Sequence, residues 1–228
     1  MADSIYKDNI GAEMGRFKET NPELLDSWMA YHDSVFKDGA LTAKEKQLTA
    51  LAVAHITSCP YCIRSRTNAS LKAGATDKEI VEVVYVSMRL AMGAPYAFSS
   101  IAFEAWDHLE AGVDLREGHF FKKDIVHEIN TFKEQSGEDI ATPFGDFHKK
   151  TFEEGALSKK FKRGIVALAC ALVTKCPYCI RSCVRDGKAE GVNSKQIAEA
   201  VNVAMVMAAG ACWAHSSIAM ETVAKAEK

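Results

Sequence analysis

Residues 48–65 read LTALAVAHITSCPYCIRS, and residues 165–182 read IVALACALVTKCPYCIRS. Each begins as a run that is apolar on every side, which suits a helix buried all round rather than one lying on a surface. Each ends on the same heptapeptide, CPYCIRS, at residues 59–65 and 176–182. In CPYC the proline follows the first cysteine, and its fixed φ and missing N–H suit the first position of a helix. That spacing puts Cys59 and Cys176 at helix N-caps, with Cys62 and Cys179 in the first turn on the same face.

Outward from the cysteines, the two copies keep a constant offset of 117 residues. AMGAPYAFSSIAFE (91–104) faces AAGACWAHSSIAME (208–221) without a gap. Upstream the offset becomes 116, with FKDGAL (36–41) facing FEEGAL (152–157) and His32 facing His148. A period this long means two duplicated domains rather than a solenoid. The boundary is expected between residues 117 and 118, giving repeats 1–117 and 118–228. It lies in DHLEAGVDLREGHFFKKD (107–124), where Gly112 and Gly118 allow a break.

Each repeat reads as roughly five helices. Asn21 and Pro22 cap and start a helix through PELLDSWMAYHDSVFKD that Gly39 is placed to end. Thr42 with Glu45, Thr76 with Glu79 and Asn193 with Gln196 are capping boxes. Gly74 and Gly191 sit where the cysteine helices would stop. No Asn-Gly or Asp-Gly hairpin signal flanked by alternating apolar residues occurs. The expected fold class is all-α.

Composition narrows the function. With 48% hydrophobic residues, 25% charged residues and a net charge of −2, the chain is globular and lacks the basic footprint of nucleic-acid or anionic-membrane binding. The start, MADSIYKDNIGAEMGRF, has no apolar leader, and no later stretch holds eighteen uninterrupted apolar residues, so a cytoplasmic location is expected. Small-molecule or protein partners are expected, with no nucleic acid and no membrane. Seven cysteines, an odd number, fit a disulfide framework poorly, and paired CxxC spacing points to redox or metal chemistry.

At a helix start, the dipole and free amide N–H groups favour thiolate over thiol, which is what a nucleophilic sulfur needs. One cysteine of the pair attacks a peroxide or disulfide and its neighbour resolves the product as an intramolecular disulfide. A four-cysteine zinc site ranks below this, because the motifs stand in equivalent places of two domain copies, over a hundred residues apart. The glutaredoxin-type tetrapeptide CPYC carries no fold with it, since no strands surround it. Arg66, one turn beyond Cys62, could stabilise a thiolate or sit on a solvated face; Arg64 and Arg181 share that ambiguity. His55 reads as a buried core histidine rather than a base. Cys183, one turn beyond Cys179, is a third thiol able to shuffle a disulfide or, with Cys176 and Cys179, hold a soft ion. Cys170 and Cys212 lie in apolar helices and read as inert core residues.

The segment LTAKEKQLTALAVAHITSCPYCIRSRTNASLKAGATDKEIVEVV (41–84) resembles the core of the alkylhydroperoxidase D and carboxymuconolactone decarboxylase superfamily. The resemblance covers roughly 22–105 and, more weakly, 138–222. It rests on the LTAKEK helix entry, the small-residue helix, KAGAT and the MGAP turn. It implies an all-α fold of two helical repeats packed as a pseudo-dimer, and a homo-oligomer with a trimer favoured. It also implies a thiol-dependent peroxidase or disulfide reductase that cycles its CxxC pairs with a thiol reductant and needs no metal or cofactor. Peroxidase members carry a relay of glutamate twelve residues before the first cysteine and histidine four after the second, with the second cysteine attacking. Cys59, Cys62, Cys176 and Cys179 match; the glutamate positions hold Gln47 and Gly164, and the histidine positions hold Arg66 and Cys183. Two alternatives remain open: a soft-metal or arsenical site centred on Cys176, Cys179 and Cys183, and a cysteine-independent lyase of the decarboxylase branch.

Overall fold

The computed structural model describes residues 6–7, 9–113 and 122–226. The first repeat contains α1 (Gly11–Thr20), α2 (Pro22–Val35), α3 (Ala43–Ile56), α4 (Pro60–Lys72) and α5 (Asp77–Glu110). The second contains α6 (Val126–Ser136), α7 (Glu138–Thr151), α8 (Lys159–Phe161), α9 (Ala167–Val173), α10 (Pro177–Ala189) and α11 (Ser194–Ala226). A π-helical turn, Lys162–Val166, joins α8 to α9 as one continuous helix. No strand occurs among the described residues. The expected boundary after residue 117 and the hinge Gly118 lie outside the described residues; Gly112, at φ 72°, follows the end of α5 as expected.

The capping signals act where the sequence put them. Thr42 and Thr76 each accept the N3 amide while Glu45 and Glu79 return the bond, and Asn193 and Gln196 do the same. Asn21 caps α2 by accepting the Leu24 amide. That helix ends at Val35, before Gly39, because Gly39 is used elsewhere. A Cβ at Gly39 would stand 2.3 Å from the Glu199 carboxylate, and one at Gly155 would stand 2.2 Å from that of Glu82.

These two carboxylates latch the repeats together reciprocally. Glu199 of α11 accepts the Ala40 and Leu41 amides at 2.8 and 2.7 Å and pairs with Lys46 at 3.1 Å. Glu82 of α5 accepts the Ala156 and Leu157 amides at 2.7 and 2.9 Å and pairs with Lys162 at 3.1 Å. Each repeat thus caps the other's loop, which is a pseudo-twofold dimer within one chain. At its centre, Leu48–Ala54 and Gly164–Ala171 are buried without interruption, the all-round burial their sequence demanded. Each Leu, Ile or Val fully buried there contributes about 1.5–3 kcal/mol.

The change of offset has a structural cause. Lys46 donates to Lys37 O and Lys162 to Glu153 O, so these lysines correspond at 116. Beyond the π turn the buried helices correspond at 117. A π turn is one residue wider than an α turn, so the second repeat carries its extra residue inside a helix. Gly164 makes this fit, because a Cβ there would lie 2.7 Å from Gly187 Cα of α10.

The expected MGAP turn is absent: Met92, Gly93, Ala94 and Pro95 lie inside α5. Packing along the rest of this 34-residue helix outweighs the single backbone hydrogen bond that Pro95 forgoes. By length and composition α11 is apolar enough to cross a membrane, and in this fold its inner face, including Val203, Val206 and Met207, is core. Val81, Tyr85, Met88 and Met92 form an exposed apolar stripe along α5.

Candidate functional site

The helix before each CxxC ends in a Schellman motif. Ser58 N bonds His55 O and Cys59 N bonds Ala54 O; Lys175 and Cys176 repeat the pair with Leu172 O and Ala171 O. Ser58 and Lys175 therefore take left-handed φ values of 53° and 57°. The same cysteine is then the N-cap of the next helix: the Cys62 amide donates to Cys59 Sγ and the Cys179 amide to Cys176 Sγ, both at 3.3 Å. The first cysteine of each pair is thus fixed from both sides by backbone geometry.

That placement divides the two thiols. The Cys59 thiol is held below its ordinary range, chiefly by the hydrogen bond from the Cys62 thiol, against burial and helped by the Cys62 amide and the His215 charge. Cys176 is lowered the same way by Cys179 and the Cys179 and Tyr178 amides, without a histidine. Cys62 and Cys179 are pushed up by sharing that proton and by burial. Within each pair the first sulfur is therefore the one that ionises more readily and the second the one that keeps its proton. Cys59 and Cys176 are fully buried, whereas Cys62 and Cys179 line cavities.

Each cavity is closed by the long helix of the other repeat. The first, about 310 Å³, sets Cys62, Arg66, His32 and Tyr61 against Met207, Gly210 and Trp213 of α11. The second, about 210 Å³, sets Cys179, Cys183, His148 and Arg163 against Arg89, Gly93 and Tyr96 of α5. Gly93 leaves room beside the sulfur, since a Cβ there would approach Cys179 Sγ to 3.2 Å.

Behind this common plan the charges differ. In the first cavity the guanidinium comes from α4: Arg66 lies 4.3 Å over the Phe36 ring and donates to Gln47 Oε1 at 3.1 Å and to His32 Nε2 at 2.7 Å. A guanidinium has only donors, so His32 Nε2 accepts and Nδ1 donates to Asp33 at 2.9 Å. In the second cavity Cys183 replaces that arginine, and Arg163 reaches the same place from the π turn, 5.1 Å over Phe152 and 3.4 Å from His148 Nε2. Arg163 is neutralised by Asp186 on α10. Arg89 of α5 adds a second guanidinium, donating to His148 Nδ1 at 2.8 Å. Burial first, and then these two arginines, push His148 down to about 4, so it serves as an acceptor rather than an acid at neutral pH.

One expected correspondence is corrected by this geometry. The residue equivalent to Gln47 is Arg163, not Gly164, because the extra residue of the second repeat falls after it. Gly164 instead supports the contact with Gly187.

The remaining sequence candidates sort cleanly. Arg66 shares the cavity of Cys62, and its charge favours the Cys62 thiolate. Cys183 lines the cavity of Cys179, but burial pushes its thiol up to about 12, an effect eased by Arg163 and reinforced by Asp186. No three Cys, His, Asp or Glu side chains gather in a metal-holding arrangement among the described residues, so Cys176, Cys179 and Cys183 do not converge as a soft-ion site. His55 bonds Leu51 O one turn back and belongs to the helix. Arg64 and Arg181 are exposed. Cys170 is core as expected; Cys212 is not, standing exposed on the outer face of α11, because apolar neighbours in sequence do not fix which side of a helix a residue takes.

Sequence reasoning missed His32, His148, Arg89, Arg163, Asp186, Trp213 and His215. The pairing of His32 with His148 at offset 116 was the available signal. His215 of α11 reaches the first pair beside Tyr61, with ring centroids 6.4 Å apart, where the second site has Phe98 of α5 beside Tyr178 at 6.5 Å.

The sequence model of the carboxymuconolactone decarboxylase family matches residues 22–111 and 138–222. Uncharacterized protein 4 of the cox locus of Paracoccus denitrificans is 36% identical over 110 residues, 48% of this chain and 98% of the relative. An uncharacterized protein of Cupriavidus necator is 26% identical over 102 residues, 45% of this chain and 90% of the relative. The crystal structure of a protein assigned as a gamma-carboxymuconolactone decarboxylase subunit of Burkholderia xenovorans superposes at a TM-score of 0.69 with 16% identity, over 95% of this chain and 92% of the other. At that identity the likeness is one of fold.

Proposed function

The chain belongs to the carboxymuconolactone decarboxylase family, which includes alkylhydroperoxidase D-like members as well as decarboxylases, and from that premise we propose that it is a thiol-dependent oxidoreductase. Its CxxC pairs reduce a peroxide or a disulfide and are recycled by a thiol reductant. The observation that carries this reading is the division of labour within each pair: a buried N-cap sulfur, held by the amide of its partner, behind a second thiol that lines a cavity.

For a peroxide the steps balance as follows. The proton shared by the pair moves from Cys62 to Cys59, which leaves a Cys62 thiolate beside Arg66. That thiolate attacks the outer peroxide oxygen; the O–O bond breaks, giving a Cys62 sulfenic acid and an alkoxide. The alkoxide takes the proton from Cys59 and leaves as the alcohol. The restored Cys59 thiolate attacks Cys62 Sγ, forming the disulfide and expelling hydroxide, which solvent protonates to water. An external dithiol returns the pair to its starting state. Cys179 and Cys176 follow the same sequence with Arg89 beside the attacking sulfur. The relay glutamate and histidine of the peroxidase pattern are absent, so the proton is carried by the cysteine pair itself, with general acid–base help on the order of 10²–10⁴ in rate forgone. The exposed stripe on α5 is where a second copy packs in the proposed homo-oligomer, a trimer.

Thiol counting by intact mass before and after one equivalent of hydrogen peroxide per pair tests the reading. Four of the seven thiols are lost as two internal disulfides, Cys62→Ser and Cys179→Ser each sparing one pair. Thiols unchanged after oxidant refute it.

A further inference from the structure

The two cavities are not neutralised alike. In the second, Arg163 is met by the Asp186 carboxylate, through Nε at 2.8 Å and through Nη2. In the first, the guanidinium in the same place, Arg66, is met only by uncharged acceptors, Gln47 Oε1 and His32 Nε2, and by the face of Phe36. No carboxylate pairs with it among the described residues, and its Nε is buried without a partner. Desolvation disfavours its charge, with only the Cys62 side supporting it. A buried charge without a counter-charge is costly unless something supplies one.

Two more donors at this cavity are unmatched: Tyr61 Oη, on the helix of Arg66, and Trp213 Nε1, from the facing α11, are buried and have no acceptor among the described residues. Apart from Ser65, His32 and Cys62, the rest of the lining is apolar, with Trp28, Met29, Val206, Met207 and Ala214. At about 310 Å³ the space lies at the small end of small-molecule sites, ~300–1,000 Å³.

We infer that the first cavity is a binding site for an amphipathic monocarboxylate, its carboxylate on Arg66 and the Tyr61 and Trp213 donors, its apolar body between Trp28 and Met207. One guanidinium offers one positive charge in a planar fork, which a two-oxygen monoanion matches and a dianion exceeds. The apolar wall excludes a freely hydrated inorganic anion. The second cavity also carries a guanidinium that no carboxylate meets, Arg89, but none of its buried side-chain donors is left without a partner among the described residues, so the site is assigned to the first repeat. Binding there is independent of the thiol chemistry; that the carboxylate is carried by the peroxide or disulfide substrate rests on the proposed function.

Isothermal titration of the reduced full-length chain with octanoate and with octanol, in the absence of oxidant, tests the inference. Octanoate is expected to saturate one site per chain and to bind at least about tenfold more tightly than octanol, and Arg66→Met is expected to weaken octanoate roughly 10- to 100-fold while leaving octanol unchanged. Equal affinities for octanoate and octanol in the unmodified chain overturn it whatever the variant does. So does octanoate binding that survives Arg66→Met and falls with Arg89→Met. Because no thiol is consumed, failure of the peroxidase assay leaves this result standing, and the reverse holds too.

Discussion

The two thiol cavities share a heptapeptide and differ in where their charge comes from. On one side the cation stacked on a phenylalanine is Arg66, projected from the cysteine helix; on the other it is Arg163, projected from the neighbouring π turn, with Cys183 where the arginine would have been. The sulfur geometry is local: a Schellman motif, an N-cap and a proline reproduce it wherever the heptapeptide goes. The electrostatics are not local. They depend on one residue inserted into a helix, on Asp186, and on which side chains the opposite repeat's long helix presents, Arg89 in one cavity and Val206 and Trp213 in the other. The two copies thus share the cysteine pair and differ in its surroundings.

The comparison breaks most completely at the nucleophiles. Cys62→Ser is expected to lower oxidant-driven turnover at the first site by at least about a hundredfold and to leave disulfide formation between Cys176 and Cys179 intact, as peptide mapping reads it. Cys179→Ser should do the converse.

The inserted residue comes next. Gly164→Ala pushes a methyl group into Gly187 Cα and Val192, and should cost about 1–3 kcal/mol in urea unfolding, with the Cys176–Cys179 site perturbed more than the first.

The latches should be symmetric where the cavities are not. Glu82→Gln and Glu199→Gln each leave a buried lysine short of its counter-charge and should cost about 1–3 kcal/mol, with the double variant close to additive. Burial alone would raise both carboxyls, but the two loop amides and the lysine outweigh it and hold them below 4.5. The folded state then binds fewer protons than the unfolded chain, so the latch contribution is intact above pH 4.5 and is lost as the pH falls through the lowered values. Thermal unfolding against pH should show that acid loss, flattened in the double variant.

The smallest effect belongs to the strained residue before each pair. Ser58→Gly and Lys175→Gly relieve a left-handed φ and should stabilise by no more than about 1 kcal/mol each.

Much of the fold was legible because its signals are short-range. Capping boxes, the proline after each first cysteine and the positive-φ glycines Gly74 and Gly191 fall where the sequence placed them. What escaped was decided by packing at a distance. Pro95 reads as a turn and lies in a helix, because the rest of α5 is anchored on both repeats. Gly164 aligns with Gln47 by counting, and a widened turn shifts that place to Arg163. Cys212 sits among apolar residues yet faces outward. For the site, the cysteines and Arg66 could be placed from helix spacing. His32 and Trp213 could not, since each reaches its cavity from another helix, and Asp186, on the cysteine helix, matters only through Arg163 of the neighbouring turn.

The most direct test is the pH titration of Cys59 and Cys176, followed residue by residue through the cysteine Cβ chemical shifts by NMR. With His215 beside one pair and Phe98 in its place beside the other, Cys59 should ionise at lower pH than Cys176, and His215→Phe should raise the Cys59 curve toward that of Cys176 without moving the latter. Coincident curves in the unmodified chain, or a Cys59 curve unmoved by His215→Phe, would contradict the claim that identical heptapeptides have been set to different reactivities by their surroundings.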